Sequence, residues 1–140
     1  MPFPSTEGAL PDPTRFAGKV AIVTGAARGI GEGIAQRFVA DGARVLLVDL
    51  LPEVEATAKR LGQPFLVKSV TDRDAGDAIA RAAQDGLGRI DILVNNAGIG
   101  GSRRLMESDD ALIDRFLDTN LGAVLRITRA IVPHLPRPGG

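Results

Sequence analysis

Four short apolar runs punctuate the chain: KVAIVT (19–24), RVLLVD (44–49), PFLVKS (64–69) and IDILVN (90–95). Each is nearly continuous in aliphatic and β-branched residues instead of alternating with polar ones. Such runs suit strands covered on both faces, the condition of a parallel sheet. Alanine-rich stretches of helical length separate them, and this alternation predicts βαβ units of an α/β fold. In the first stretch Ile30, Ile34 and Phe38 recur every four residues, which predicts a stripe laid on the sheet, with Gly42 closing the helix. Pro52 opens and Gly62 follows a second helix over 52–61, and Asp72 is the expected cap of a third that runs to Asp85. A fourth, over 109–132, carries Ile113, Phe116, Val124, Ile127 and Ile131 at helical spacing, with Asn120 on the same stripe. The segment PHLPRPGG then breaks the helix.

Composition narrows the picture. At 140 residues and 44% hydrophobic content the chain fits one domain with a real core. Residues 1–16, with Pro2, Pro4, Pro11 and Pro13 and little periodicity, read as a flexible arm ahead of a domain over 17–140. Seventeen basic and seventeen acidic residues cancel, which argues against nucleic acid or an anionic membrane as partner. No cysteine is present, so a disulfide framework and thiolate metal sites are excluded and a reducing, cytoplasmic setting is expected. The lone histidine, His134, cannot form a metal cluster and is expected to meet solvent or cap a helix. No apolar run reaches the roughly 20 residues of a membrane span.

The first turn concentrates the candidate chemistry. TGAARGIGEG (24–33) sets four glycines where a helix should begin, although each interior glycine costs about 1 kcal/mol relative to alanine. Gly25, Gly29 and Gly31 stand between a first strand and its helix, where free amides and a positive dipole end can meet a diphosphate. Glycines there let phosphates approach the backbone. The plainer alternative is a tight strand-to-helix turn. Asp49, at the end of the second run and eighteen residues beyond Gly31, lies where an acid accepts hydrogen bonds from an adenosine ribose. Its charge repels the extra phosphate of NADP and favours NAD. Arg28 pulls weakly the other way, because a guanidinium can pair with a phosphate.

Taken together, TGAARGIG (24–31), LLVDL (46–50), DILVNNAG (91–98) and DTNLGAVLRITRAIVPHL (118–135) resemble the short-chain dehydrogenase/reductase family over residues 17–140. The resemblance implies a Rossmann-type, doubly wound parallel sheet of four strands in the order 3-2-1-4 with flanking helices. It implies Gly25, Arg28, Gly29, Ile30 and Gly31 around the diphosphate and nicotinamide half of the cofactor, Asp49 with Leu50 at the ribose, and Val70 on the adenine. It places Asn96, Ala97 and Gly98 along the cofactor cleft and Asn95 between neighbouring strands. It also implies a catalytic role for Asn120, as one of four such residues, holding a water that connects to a lysine. Read from the chain alone, Asn120 is a polar amide on an apolar stripe that needs buried partners. Where the family commonly has an acidic residue ahead of the Val70–Thr71 pair, this sequence has Ser69.

The family pattern also calls for a serine, then a tyrosine and a lysine four residues apart, after the last residue of this sequence. The chain contains no tyrosine, and its lysines are Lys19, Lys59 and Lys68. The expected activity is therefore an NAD-dependent alcohol/carbonyl oxidoreductase represented by its cofactor-binding half. The implied partners are a nicotinamide dinucleotide, a small alcohol or carbonyl substrate, and a second copy or a completing segment. The alternative is a non-catalytic dinucleotide-binding or interaction module. On either reading the chain alone is expected to be inactive.

Overall fold

The computed structural model describes residues 10–137. Four strands, β1 (Val20–Thr24), β2 (Arg44–Asp49), β3 (Phe65–Val67) and β4 (Ile92–Val94), form one sheet in the order β3-β2-β1-β4. Every pairing is parallel, with Ile22 opposite both Leu46 and Leu93 at the centre. This is the order and sense expected. β3 and β4 are shorter than their apolar runs. Just ahead of β4, Asp91 still meets Val20 at the start of β1: its N–H donates to the Val20 carbonyl oxygen and its carboxylate accepts the Val20 N–H, both at 2.9 Å.

The pleat divides the apolar residues between two cores. Ala21, Val23, Val45 and Leu47 face one side, covered by α1 (Gly29–Ala40) and α2 (Val54–Leu61). Ile22, Leu46 and Val48 face the other, covered by α3 (Ala75–Leu87) and α5 (Ala123–Ile131). Burying each such Val, Leu or Ile contributes about 1.5–3 kcal/mol, so continuous apolar strands are what a sheet with two covered faces needs. On the second face α3 and α5 pack closely at Gly76, where an added Cβ would lie 2.5 Å from the Ala130 Cβ.

Several expectations need correction. Ile30 does not join Ile34 and Phe38 on the sheet; at the first turn of α1 it is 78% exposed. Helix α3 begins at Ala75, beyond Asp72, because Asp72 closes a turn through its carbonyl oxygen to the Ala75 N–H. The carboxylates of Asp72 and Asp74 both pair with Lys68 Nζ, at 3.2 and 2.8 Å. The expected fourth helix is two helices, α4 (Asp110–Leu117) and α5, joined by a π-helical turn over Asp118–Gly122. Of the expected arm, residues 1–9 lie outside the described residues. The next stretch is docked onto the domain: Asp12 and Phe16 donate their N–H groups to the side chain and carbonyl of Asp41, and the Phe16 ring lies 5.1 Å from that of Phe38. His134 is exposed, and its Nδ1 accepts a 3.0 Å hydrogen bond from Gln84 Nε2.

Candidate functional site

The carboxyl ends of the strands open into one cleft of about 740 Å³, within the roughly 300–1,000 Å³ of small-molecule sites. Gly25, Arg28 and Gly29 line it after β1, Asp49 and Leu50 after β2, Val70 after β3, and Asn96, Ala97 and Gly98 after β4. Nine of the residues singled out in the sequence therefore share one cavity. Ile30, Gly31 and Asn120 are not on its walls.

The glycine loop owes its shape to three separate constraints. Gly25 leaves β1 with φ +67° and Gly29 opens α1 with φ +61°, conformations that side chains disfavour. Nothing lies within 4 Å of the missing Cβ of Gly29, so that volume belongs to the open cleft. Gly31 is buried, and a Cβ there would meet the Gly25 carbonyl oxygen at 2.0 Å. Its bareness lets α1 start directly against the loop. No side chain caps α1, so its first N–H groups remain available beside the cleft, at the positive end of the helix dipole. Gly33 has open space around its missing Cβ, and no packing accounts for it.

Side chains from β1, β2, α2 and the segment after β4 hold this loop. Asn96 Nδ2 donates to the carbonyl oxygens of Thr24 (3.0 Å) and Gly25 (3.2 Å). Thr24 Oγ1 accepts the N–H groups of Asn96 and Ala97, each at 3.1 Å. The Ala27 peptide is gripped on both sides: its N–H donates to Asp49 Oδ2 at 2.9 Å, and its carbonyl oxygen accepts from the Thr57 hydroxyl at 2.8 Å. Asp49 Oδ1 accepts the Leu51 N–H at 3.0 Å. A carboxylate offers about four acceptor positions, so Asp49 shapes the loop and still has capacity toward a ligand. Asn95 does not join strands as expected; its amide donates to Thr128 Oγ1 at 3.1 Å and ties the end of β4 to α5.

Asn120 differs from its expected setting, because it is exposed rather than buried. Its amide nevertheless makes two backbone bonds: Oδ1 accepts the Ile99 N–H and Nδ2 donates to the Ile99 carbonyl oxygen, both at 2.9 Å. Ile99 lines the cleft, so Asn120 acts on that wall from behind.

Sequence reasoning missed Thr24, Thr57, Arg115, Asp118 and Thr119. Thr24 had a readable signal, a hydroxyl at the last position of an apolar run before glycine. Thr57 had none, since an interior helical threonine is unremarkable without knowledge of what lies over it. Arg28 and Arg115 line the cleft with no carboxylate partner among the described residues, which leaves two cations available to an anionic ligand. Among those residues no group of acids, histidines or cysteines could hold a metal ion, and no helix is long and apolar enough to cross a membrane.

A parallel sheet in this order with a glycine loop, a strand-end acid and an Asn-Ala-Gly wall defines a class, and comparison with known proteins gives the same one. The short chain dehydrogenase family model matches residues 19–140. The chain belongs to the short-chain dehydrogenase/reductase family. It is 38% identical over 126 residues to oxidoreductase UcpA of Escherichia coli, covering 86% of this chain and 48% of that protein. It is 37% identical over 120 residues to the 3-oxoacyl-[acyl-carrier-protein] reductase FabG of the same organism, covering 84% and 49%. Among solved structures, carveol dehydrogenase from Mycobacterium avium in complex with NAD superposes with TM-score 0.79 at 33% identity, covering 87% of this chain and 51% of that one. The 3-ketoacyl-(acyl-carrier-protein) reductase from Brucella melitensis complexed with NADH gives 0.82 at 36% identity, covering 85% and 51%. The chain spans about half the length of the relatives it matches.

Proposed function

We propose that this chain is the cofactor-binding half of an NAD-dependent dehydrogenase/reductase that interconverts an alcohol and a carbonyl compound. The observation that carries this reading is the single cleft into which the glycine loop, Asp49 and residues 96–98 converge from the ends of separate strands. When bound there, the nicotinamide would accept or supply hydride. In this proposal Gly25, Arg28, Gly29, Ile30 and Gly31 receive the diphosphate and nicotinamide half, through backbone N–H groups and one guanidinium. Asp49 accepts from the adenosine ribose, with Leu50 and Val70 giving apolar cover to the adenine half. Asn96, Ala97 and Gly98 form the remaining wall, and Asn120 steadies it through Ile99.

The NAD preference draws on Asp49, whose carboxylate lines the cleft beside Leu50 and Leu51, neither of which brings a positive charge to balance a 2′-phosphate. Proton exchange with substrate needs an acid/base such as the family's tyrosine, and this sequence has no tyrosine. A second reading is a dinucleotide-binding module without redox chemistry. The native gene product separates the two: a mass near 14.6 kDa supports the module, and a much heavier one the enzyme.

Titration with NADH, followed by its fluorescence, tests the binding reading. Saturable binding that NAD competes away is expected, along with its loss in Gly29→Val, whose side chain would enter cleft space and strain the loop at its φ of +61°, with circular dichroism checking that the sheet still folds. Full affinity in that variant, or no binding by the folded chain, contradicts the proposal.

A further inference from the structure

Between α4 and α5 the helical path widens into the π turn over Asp118–Gly122, closed by the Ala123 N–H donating to the Asp118 carbonyl oxygen. Single-turn widenings of this kind recur at functional sites. Here the turn carries Asn120, with its two bonds to Ile99, while its Asp118 and Thr119 line the cleft.

A side-chain strap runs across the turn. Arg126 Nη2 donates to Asp118 Oδ1 at 2.6 Å, an ion pair spanning eight residues. It passes over Gly122, where an added Cβ would lie 2.9 Å from Arg126 Nη1 and 3.2 Å from Asp118 Oδ1. Glycine at that position leaves the guanidinium its path. Arg126 Nε is buried with no partner, the one such side-chain atom among the described residues. A buried donor left unpaired is costly, so the guanidinium is held where it reaches Asp118 rather than where all its own N–H groups are satisfied.

We infer that Arg126 is a positioning residue of the cofactor cleft: strapped to Asp118 over Gly122, it holds the wide turn that presents Asn120 to Ile99. The inference rests on reading the cleft as the dinucleotide site. Arg126 itself does not line the cleft. Its effect passes through the chain Arg126, Asp118, Asn120, Ile99.

Residue-resolved amide exchange on the full chain, combined with NAD titration, tests this. In Arg126→Met and Gly122→Ala, exchange at the Ile99 amide should quicken about tenfold, the scale of losing one charge-assisted hydrogen bond. Asn120→Ala should reproduce that change, and Arg126→Lys should recover part of the protection. Exchange at Val23 and Leu47 should stay at wild-type rates, and NAD binding should weaken several-fold in Arg126→Met. Unchanged protection at Ile99 in both strap variants, with Asn120→Ala raising its exchange, overturns the inference. Equal acceleration at Ile99, Val23 and Leu47 also overturns it, because the pair would then serve only global stability. Should Arg126→Met fail to fold, Asp118→Asn carries the same comparison. If the wild-type chain binds no NAD, the site reading fails, and exchange at Ile99 still decides the strap.

Discussion

Gly31 and Gly25 pack so closely that a methyl group on Gly31 would stand 2.0 Å from the Gly25 carbonyl oxygen. The start of α1 and the phosphate-loop candidate are thus one packed unit. Gly31→Ala should destabilise the fold by about 1–3 kcal/mol, the range for overpacking a filled site. Gly33→Ala, two residues on in open space, should stabilise it by about 1 kcal/mol through helix propensity. Urea unfolding of the two variants checks both signs, and equal effects would contradict the packing argument.

Asn96 joins β4 to this unit. Its Nδ2 donates to two carbonyl oxygens of the β1 end, so Asn96→Asp would turn a donor into a carboxylate facing them. A loss of about 1–3 kcal/mol is expected, as for a buried group left unsatisfied. Asn96→Asp should also weaken NADH binding, whereas a variant of wild-type stability and affinity would remove Asn96 from the loop's support.

Asp49 shapes the loop through Ala27 and Leu51 and is proposed to meet the ribose as well, so the test of its cofactor role is a ratio. Asp49→Asn keeps the side-chain shape but sets an amide N–H against the N–H of Ala27 or Leu51, and affinity for both dinucleotides should fall. The preference for NAD over NADP should fall too, by about tenfold, equivalent to about 1.4 kcal/mol. Paired titrations with the two nucleotides read this directly. A ratio that stays constant while both affinities drop would leave Asp49 with its loop-shaping duty alone.

Acid should unfold the chain from its clamps. At Asp41 the N–H of Asp12 is the main cause of a carboxyl held below the ordinary 3.8; Arg37 and Arg15 assist, and burial opposes. At Asp91 burial is the largest influence and pushes upward, yet Arg89, the Val20 N–H and Lys19 outweigh it and the carboxyl again lies low. A folded value below the unfolded one means stabilisation that is complete above 3.8 and lost as pH falls through the lower folded value. The urea midpoint should therefore decline below about pH 4. Asp91→Asn should flatten that decline, and an unaltered slope would show that this clamp contributes nothing to it.

The sheet was legible because its strands are buried on both faces: Ile22 and Val23 point to opposite cores and both must be apolar. The cleft residues were legible in part through that order, since the glycine loop, Asp49 and residues 96–98 all follow strand ends. The helix stripes misled at two places. Ile30 sits one turn before the sheet-facing residues begin and stays exposed, and the π turn shifts the phase of the fourth stretch between Phe116 and Ala123, carrying Asn120 outward. No periodicity reveals a turn that is held by a pair eight residues apart. Asn95 was misplaced for a related reason, because its partner Thr128 lies on a helix whose position over the sheet only the fold sets.

The central claim is that the cleft beside the glycine loop takes a nicotinamide dinucleotide and that Asp49 favours NAD there. Isothermal calorimetry of the folded wild-type chain against NAD and then NADP tests it most directly. One saturable site for NAD, with NADP binding more weakly, is the predicted result; no heat with either nucleotide, or tighter binding of NADP, would contradict the account.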